Sequence, residues 1–541
     1  MATTTIPAHL VRRFRELGCD EGFGIVGDFA LRLFGRLHDL GFPVHVAADE
    51  QGAAFAADAF ARLRGFGVVA ITYGVGGLKV VNTTAGAWAE QVPLLVLSGA
   101  PGMAERRGDP LLHHKVKTFQ TQLDVFRDLT VAEAALEDPA VAAREIDRVL
   151  VACLREQRPG YLEVPRDMID VEIVAPEGPL ALERPPVEEP ALAAGVAEAM
   201  QRIRGARSIV LAAGLLAVRR RLAAEFRELA ELLDAPVVTD ALTKGFFPER
   251  HPLSHGVYMG AVSRPEVRTL VESADLLLGF GVLYSDLTSG AFTTALDVSR
   301  IVHATDRELL VGWSSYPQAP LWRFLPALLE ALRKERTPRS SPRPFRVPAM
   351  RPKGRTPLTV EGVMGLVEAA LDERHGLIFE PGECLFASVD LAAPAWTMTS
   401  GYYATMGFAT PAAVGAGKAD PARRPVVLAG DGAFLMTGLE AAIAAFHRVN
   451  PIIVIVDNHG YGTQRPMLDG PFNDIPSLRS ERLPEVFGAG KGFLCEDEES
   501  LARALAAATA LDELVIIRAV VPKGRPSPAL ERLAAALGKG V

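Results

Sequence analysis

The chain has 541 residues, of which 49% are hydrophobic and 23% are charged, which excludes a mainly disordered or fibrous protein. At roughly 150 residues per domain, this length predicts three or four domains. The 57 basic and 65 acidic side chains give a net charge of −8, which argues against a nucleic acid or an anionic membrane as partner.

Cysteine usage and hydropathy predict the compartment. The four cysteines lie far apart and form no CxxC pair, which indicates reduced thiols and neither disulfides nor a zinc site; they are Cys19, Cys153, Cys384 and Cys495. The N-terminal segment lacks the apolar core of a signal peptide, and no apolar run is long enough to cross a bilayer. We therefore expect a cytoplasmic protein with no membrane partner.

Two proline-rich segments, residues 174–190 and 335–357, are typical of exposed linkers. They divide the chain into predicted domains 1–175, 190–335 and 356–541. Each domain alternates continuous apolar runs with amphipathic helical stretches, a pattern typical of parallel sheets covered on both faces. The predicted fold class is therefore α/β, with three doubly wound parallel-sheet domains.

The elements follow in chain order. In the first domain, the pattern predicts strands at 68–74 and 92–100 around a helix at 80–91. The middle domain has strand-like runs at 208–214, 236–240 and 274–281, with a charged helix predicted at 218–233. In the third domain, strands at 424–430 and 451–457 enclose a helix at 439–449.

Polar residues at three places in the first domain could carry chemistry. Asp28 follows a glycine and precedes an amphipathic helix, so it is either a helix N-cap or a functional acid. Glu50 stands where a short strand passes into an alanine-rich helix. It is either a first-turn carboxylate favoured by the helix dipole or a carboxyl in a dry functional setting. His113 and His114 are adjacent, as in many polar loops.

The third domain places Asp431 after one predicted strand and Asn458 after the next. If these strands are neighbours, both side chains face one crevice at the carboxyl edge of the sheet. A carboxylate and an amide oxygen suit Mg²⁺ or Ca²⁺, and Gly430 and Gly432 allow a phosphate to approach the backbone. The alternative is a plain strand-to-helix turn.

The spacing of Gly-Asp-Gly and Asn-His-Gly resembles the diphosphate–metal motif of thiamine diphosphate enzymes. Eight pieces closely resemble the 2-oxo acid decarboxylases of the pyruvate and indolepyruvate type, most of all the bacterial phenylpyruvate decarboxylases. These pieces are GDFAL, DEQGAAFAADAFAR, TYGVGG, NTTAGAWAE, LLHH, GYYATMGF, GDGAF and DGPFNDI. They lie in the first and third domains, and the middle domain agrees in position and strand pattern.

The resemblance implies thiamine diphosphate and Mg²⁺ as cofactors. It implies non-oxidative decarboxylation of a 2-oxo acid, aromatic or longer aliphatic, to the aldehyde through an enamine of the cofactor. Glu50 would hydrogen-bond the cofactor's pyrimidine, the Ala404 carbonyl would accept from its amino group, and Met406 would support its bent shape. The metal ligands would be Asp431, Asn458 and the Gly460 carbonyl, with Gly432, Ala433 and Thr463 as further cofactor contacts.

The resemblance also implies a substrate site and an assembly. Asp28, His113 and His114 would relay protons around the substrate, and Thr72 and Gln464 would line its pocket. The cofactor would lie between two subunits of a homodimer or homotetramer, so that Glu50 and Asp431 of one site would come from different chains.

The chain departs from the family pattern at Gln464, where the family carries a glutamate that helps to protonate the enamine. A glutamine cannot serve as a general acid, and the loss of such a group costs about 10²–10⁴-fold on the step that it serves. Either His113, His114 or water supplies the proton, or the chain is a carboligase that passes the enamine to an acceptor carbonyl. The resemblance favours the decarboxylase.

Overall fold

A computed structural model describes residues 2–182, 186–335, 342 and 350–537. Parts of both predicted linkers, residues 183–185, 336–341 and 343–349, lie outside this description. The described residues form two compact units. The first comprises those of Met1–Pro185, Thr410–Pro421 and Thr437–Val449, and the second comprises those of Pro186–Ala409, Ala422–Met436 and Asn450–Val541. The predicted domain boundaries stay predictions.

The first region, residues 2–182, contains a parallel sheet and a short antiparallel pair. The described strands are β1 (Ala2–Thr5), β2 (Gly22–Gly24), β3 (Val44–Val46), β4 (Gly67–Ile71), β5 (Leu94–Ala100), β6 (Glu133–Ala135), β7 (Gly160–Pro165) and β8 (Glu172–Ala175). The parallel sheet has the order β3-β2-β4-β5-β7-β6, and β1 pairs with β8. All residues of β4, β5 and β7 are buried, as expected for a sheet covered on both faces.

The helices of the first region follow the predicted alternation with strands. They are α1 (Ile6–Glu16), α2 (Leu31–Asp39), α3 (Glu50–Arg64), α4 (Val81–Ala89), α5 (Thr121–Arg127) and α6 (Ala142–Glu156). A 3-10 turn at Leu78–Val80 leads into α4. The hydrophobic core of this region gathers apolar side chains of α1, α3, α6 and the sheet.

The middle region, residues 186–335, differs from the predicted all-parallel sheet at one edge. Its strands are β9 (Ile209–Ala213), β10 (Val237–Thr239), β11 (Ser254–Val257), β12 (Leu276–Phe280), β13 (Ile301–Ala304), β14 (Glu308–Val311) and β15 (Ser314–Pro317). Their order is β11-β10-β9-β12-β13-β14-β15, and the last two pairings are antiparallel. The connections before β14 and β15 are too short for a crossover helix, so only hairpins can form there.

The helices of the middle region are α7 (Glu189–Gly205), α8 (Leu215–Arg219), α9 (Ala223–Leu233), α10 (Pro265–Glu272) and α11 (Leu321–Arg333), with 3-10 turns at Gly260–Val262 and Val298–Arg300. The sequence predicted one helix at 218–233, but the structure breaks it between α8 and α9. Arg221 has a φ of 57°, which no helix residue adopts, and Leu222 is buried beyond the break. Burial of Leu222 against the core accompanies this interruption.

The third region, residues 350–537, carries a parallel sheet of order β17-β16-β18-β19-β21-β20 among its described residues. The strands are β16 (His375–Phe379), β17 (Thr397–Thr399), β18 (Arg424–Gly430), β19 (Ile452–Asp457), β20 (Lys491–Cys495) and β21 (Val515–Val520). All residues of β19 are buried. This strand lies between β18 and β21, so the sheet places the ends of β18 and β19 side by side.

The helices of the third region are α12 (Val360–Ala370), α13 (Glu383–Ala387), α14 (Ala409–Ala419), α15 (Asp431–Thr437), α16 (Glu440–Phe446), α17 (Leu483–Phe487), α18 (Glu498–Ala510) and α19 (Pro528–Leu537). Three 3-10 turns lie at Ser388–Asp390, Pro471–Asn473 and Ser480–Arg482. Helix α16 and nearly all of α14 belong to the first compact unit. A side chain at Gly415 would collide with the backbone of Ala56, so α14 lies directly against α3 in that unit.

Two further predictions concern the cysteines and the membrane. All four cysteines are buried and free. In the part of the chain that the structure describes, no helix has the length and apolar character needed to cross a bilayer.

Candidate active site

Asp431 and Asn458 lie at the same edge of the third sheet. Strands β18 and β19 run parallel with Gly430 opposite Val456, so the residues that follow each strand are neighbours. Helix α15 begins at Asp431 itself. The structure therefore brings together the two residues that the sequence placed at adjacent strand ends.

Three oxygen atoms converge at this edge. The side-chain oxygen of Asn458 lies 2.7 Å from the Gly460 carbonyl oxygen and 3.3 Å from a carboxylate oxygen of Asp431. All three atoms are acceptors, so in this orientation nothing between them supplies a proton. Turning the amide would let its nitrogen donate to both oxygens, whereas a divalent cation would satisfy all three without the turn. The donor set is the kind that Mg²⁺ prefers.

A second acid, Asp457, lies against Asp431 at the end of β19. Burial, together with the charge of Asp457, raises the pKa of Asp431 to about 7. Asp457 is held as an acceptor by Arg518, whose Nε donates at 2.6 Å. Asp457 was not predicted as a site residue, although an acid at the last position of a buried strand is a signal that could have identified it. A cation bound here would relieve the repulsion between the two carboxylates.

Glycines shape the loop that carries Asn458. Gly460 has a φ of 139°, and a Cβ there would lie 2.0 Å from the carbonyl oxygen of Asn473. A Cβ at Gly462 would lie 2.3 Å from the amide nitrogen of Asn458. Only glycine therefore fits at Gly460, and a side chain at Gly462 would displace the Asn458 amide. The Gly460 N–H donates to Asp431 at 3.0 Å, which ties the loop to the carboxylate.

Arg465 holds the rest of this loop. Its guanidinium is almost fully buried and donates to Asp469 and Asp474, each at 2.6 Å. It also donates to the backbone carbonyls of His459 and Asn473. This explains why the DGPFNDI segment, residues 469–475, accompanies the metal motif: its acids anchor the loop through one arginine.

The segment around Met406 is fixed by a buried acid that the sequence analysis missed. Glu380, at the end of β16, accepts hydrogen bonds from the N–H groups of Gly407, Phe408 and Ala409. Burial raises the pKa of Glu380 to about 7, although these bonds act against the rise. Ala404, with a φ of 59°, adopts a left-handed conformation that is uncommon for alanine and that sets the direction of its carbonyl.

The remaining residues predicted for the third region lie near the same loop and helix. Gly432 and Ala433 are buried in the first turn of α15, and Tyr461 packs against Gly432. Met406 and Thr463 are half-buried, and Gln464 is exposed.

In the first unit, Asp28 and His113 form a hydrogen-bonded pair. The Nε2–H of His113 donates to Asp28 at 2.7 Å, and both side chains are about half exposed. Burial acts to raise the pKa of Asp28, but the bond to His113 and the charges of both histidines outweigh it and lower that pKa. Asp28 is not the N-cap of α2, because that position is Ala30 and no side chain caps the helix. The capping alternative is therefore wrong.

Phe29 fixes the orientation of both histidines. The His113 ring stacks on Phe29 with centroids 4.8 Å apart, and the His114 ring meets its edge at 5.7 Å. His114 has a φ of 67°, and a Cβ at Gly74 would lie 2.4 Å from its carbonyl oxygen. The TYGVGG segment therefore makes the space that the histidine pair requires.

Thr72, which precedes this segment, is almost fully buried, and its hydroxyl has no hydrogen-bond partner in the described structure. Its side chain lies against Gly27, where a Cβ would come within 2.8 Å of all three Thr72 side-chain atoms. An orphaned hydroxyl next to the Asp28 segment suits a ligand contact, since a buried polar group without a partner is costly.

Glu50 begins α3, and Asp49 caps this helix by accepting from the Gly52 N–H at 2.8 Å. Lys79, which the sequence analysis did not select, lies 3.1 Å from Glu50 and 3.2 Å from Asp49. Burial acts to lower the pKa of Lys79, but the bonds to the two acids raise it above its usual value. The side chain of Glu50 is only 13% exposed.

A further acid, Glu440 of α16, lies beside the start of α3. Its carboxylate accepts from the N–H groups of Ala48 and Asp49 at 3.0 and 3.4 Å. It occupies the space that a side chain at Gly52 would need. Burial raises its pKa to about 7. Nothing in the local sequence pattern signals this contact, because it joins residues far apart in the chain.

Comparison with known proteins decides the family. The thiamine pyrophosphate enzyme models match in three parts: the N-terminal TPP binding domain at residues 4–127, the central domain at 196–332 and the C-terminal TPP binding domain at 384–519. The chain is 36% identical to indole-3-pyruvate decarboxylase of Azospirillum brasilense, over 97% of this chain and 96% of that one. The chain belongs to the thiamine diphosphate-dependent 2-oxo acid decarboxylase family.

Two more members of the decarboxylase family are similar over most of their length. An alpha-keto-acid decarboxylase of Mycolicibacterium paratuberculosis is 33% identical over 96% of this chain and 94% of its own. Pyruvate decarboxylase isozyme 2 of Saccharomyces cerevisiae is 31% identical over 90% of both chains.

These similarities confirm the predicted family, the three-part α/β fold class and thiamine diphosphate as cofactor, with Mg²⁺ as the family's usual metal. The names of the three relatives describe decarboxylation, so the comparisons favour the decarboxylase over the carboligase alternative. The roles of individual residues stay predictions.

Proposed function

We propose that the chain converts an aromatic or longer aliphatic 2-oxo acid to the aldehyde and CO₂, with Asp431, Asn458 and Gly460 as ligands of the Mg²⁺ that holds the cofactor's diphosphate. The observation that supports this most is that the Asn458 amide, the Gly460 carbonyl and the Asp431 carboxylate meet beside a second acid, Asp457. Oxygen ligands of this kind suit a divalent cation, and the family's usual metal is Mg²⁺. The substrate class follows from the resemblance to phenylpyruvate decarboxylases.

Thiamine diphosphate, when bound, supplies the carbon nucleophile and the electron sink that CO₂ loss from a 2-oxo acid requires. The chain's part is to bind and orient this group. Asp431 and Asn458 would fix its metal, and Gly432, Ala433 and Thr463 would line its diphosphate. Ala404 and Met406 would fix its pyrimidine end, and the Glu380 contacts hold the segment that bears Met406.

Glu50 would hold a proton at the pyrimidine nitrogen. Its position at the first turn of α3 is fixed by the Asp49 cap and by Glu440, which accepts from the backbone just before it. Lys79 neutralises the acidic group formed by Glu50 and Asp49. The proposed role therefore falls to a carboxylate whose backbone is anchored on both sides.

Asp28, His113 and His114 would move protons at the reacting carbon and oxygen of the substrate. The Asp28–His113 hydrogen bond orients the imidazole for proton transfer. Gln464 can only hydrogen-bond the substrate, so the proton that completes the aldehyde would come from the histidine pair or from water. Thr72 would contribute its unpaired hydroxyl to the same pocket.

The proposal includes an assembly and a location. The cofactor would lie between two copies of the chain, with Glu50 from one and Asp431 from the other, in a homodimer or homotetramer. The four cysteines, which are buried and free, support a cytoplasmic location. Sedimentation with and without the cofactor would test the assembly.

The direct test is an assay of the purified protein with thiamine diphosphate and Mg²⁺. We expect CO₂ and an equal amount of aldehyde from phenylpyruvate, indolepyruvate and longer aliphatic 2-oxo acids, with lower rates from pyruvate. The same assay with an added acceptor aldehyde tests the carboligase. Formation of a carbon–carbon bond without free aldehyde would contradict the proposal, as would a lack of CO₂ from every acid in the panel.

A further inference from the structure

The side chains of Asp28, His113 and His114 meet a geometric requirement that the proposed proton transfer does not need. One ligand atom from each, a carboxylate oxygen and two imidazole nitrogens, lies within 4.8 Å of the others. Two imidazoles and a carboxylate are a common ligand set for first-row transition metals, and three protein ligands with an open position are typical of accessible zinc sites. Among the residues that the structure describes, no other group of acids, histidines and cysteines meets the same criterion.

We propose that this cluster is a second metal site, selective for a nitrogen-preferring divalent ion such as Zn²⁺ and distinct from the Mg²⁺ site at Asp431. The two sites differ in their donor atoms. The Asp431 site offers only oxygen, which suits Mg²⁺, whereas two of the three donors at Asp28 are imidazoles, which suit Zn²⁺ and Co²⁺.

The ligands need only a small movement to close on an ion. Zinc ligands at about 2.0–2.1 Å in a tetrahedron are about 3.3 Å apart. The Asp28–His113 pair, now at 2.7 Å, would open slightly, and the His114 nitrogen would close from at most 4.8 Å. Asp28 and His113 are about half exposed, so an ion can reach them from solvent.

The rings are already held in place. The His113 ring stacks on the face of Phe29, and the His114 ring lies at its edge. The centroids of the two imidazole rings are 4.7 Å apart, and their planes are inclined at 76°. The buried Nδ1 of His114 has no hydrogen-bond partner in the described structure, so no protein group competes for this nitrogen. A site whose ligands are ordered beforehand loses less conformational entropy when the ion binds.

An ion at this place would occupy the groups that handle the substrate. Zn²⁺ is therefore expected to inhibit decarboxylation in competition with the 2-oxo acid, an expectation that rests on the proposed function. Metal binding itself does not rest on it, because the ligand set is a property of the three side chains alone.

Cobalt(II) tests the site, since imidazole ligands give it visible absorption that differs from that of the aqueous ion. The protein is first saturated with thiamine diphosphate and excess Mg²⁺, which occupies the oxygen site, and is then titrated with Co²⁺. We expect bands typical of nitrogen ligation. In Asp28→Asn and His114→Gln the affinity should fall by at least about tenfold, the lower bound for a lost outer-shell contact.

His38→Gln is the matched control, because His38 is an exposed histidine of α2 outside the cluster. It should leave the Co²⁺ spectrum unchanged. Equal Co²⁺ affinity in all variants, or a spectrum identical to that of the aqueous ion, would overturn the site. Zn²⁺ inhibition that excess 2-oxo acid does not relieve would overturn only its inhibitory role. If no decarboxylation is found at all, the proposed function fails while the Co²⁺ titration still decides the site.

Discussion

The third and first regions each pair a carboxylate with a titratable neighbour, and the surroundings give opposite results. Asp431 lies largely buried against a second acid, and its pKa rises to about 7. Asp28 lies half exposed against His113, and its pKa falls. The difference shows which site depends on an added charge. Arg518 pairs with only one of the two buried acids, so a bound cation would stabilise the pair further, whereas the exposed Asp28–His113 pair is satisfied by its own hydrogen bond and by solvent.

The third region is proposed to bind the metal and the cofactor, and the first region to carry the proton transfers. Single substitutions can test this division. Changes at Glu50 and His113 of the first region should act mainly on turnover, with the cofactor still bound. Changes in the third region should act on the binding of metal and cofactor. The expected effects run from the loss of turnover to small changes of affinity.

The largest effect is expected for Glu50→Gln. A glutamine keeps the size of the side chain but cannot exchange the proton, so turnover should fall by about 10⁴-fold, the upper end for loss of an acid–base group. Release of CO₂ is measured together with cofactor affinity, which should change little. Asp20→Asn, a change at an exposed acid of the same region, is the control. Full activity of Glu50→Gln would refute its role.

His113→Gln should reduce aldehyde formation by about 10²-fold, because the Asp28–His113 pair would lose its transferable proton. CO₂ release in a single turnover should be reduced less, since the proton is needed after that step. Parallel assays of CO₂ and aldehyde give the ratio of CO₂ released to aldehyde formed. An unchanged ratio with normal turnover would assign the proton to His114 or water.

Asp431→Asn should weaken Mg²⁺-dependent cofactor binding by at least about tenfold, because the anionic ligand is lost. The same change should raise the thermal unfolding temperature of the cofactor-free protein, since Asp457 would lose its like-charged neighbour. Calorimetry and thermal melts measure the two effects. Asp512→Asn, at an exposed acid of the same region, should produce neither. A lower unfolding temperature for Asp431→Asn would show that the two acids are not in conflict.

The raised pKa of Asp431 gives a pH dependence with a definite sign. Its folded pKa of about 7 exceeds the ordinary value of 3.8, so its contribution to stability is greatest below pH 3.8 and is lost as pH rises towards 7. Mg²⁺ affinity follows the reverse trend and should fall by up to about tenfold per pH unit below 7, as each ion displaces one proton. The pH profiles of stability and of Mg²⁺ affinity are measured for both the unsubstituted protein and Asp431→Asn. Their difference removes the contributions of Glu380 and Glu440, whose pKa values are also raised. An identical profile for both proteins would contradict the assignment.

The smallest effect is expected for Lys79→Ala. The ammonium is partly exposed and pairs with Glu50 and Asp49, and such pairs contribute up to about 1 kcal/mol. If the pyrimidine must displace Lys79 from Glu50, the substitution should tighten cofactor binding by up to about fivefold, which is the same free energy. Lys334→Ala, which removes an exposed pair with Glu330, is the matched control. Weaker cofactor binding would mean that Lys79 supports the cofactor.

Much of the fold and part of the site could be predicted from local pattern. Alternating apolar and helical stretches indicated parallel sheets, and the residues after two consecutive strands indicated Asp431 and Asn458. The antiparallel edge of the middle sheet was missed because the pattern reports burial and not strand direction. The single predicted helix at 218–233 was wrong because one residue with positive φ interrupts it.

The sequence by itself determined the order of elements, the strand-end positions of Asp431 and Asn458, and the acid and histidines of the first region, since each depends on local spacing. Only the tertiary structure decided their neighbours. Asp457 repels Asp431, Lys79 pairs with Glu50, Glu440 fixes the start of α3, and Phe29 orients both histidines. The physical reason is that charge interactions and burial depend on distance in space. The hydrophobic core fixes these distances only when segments far apart in the chain pack together.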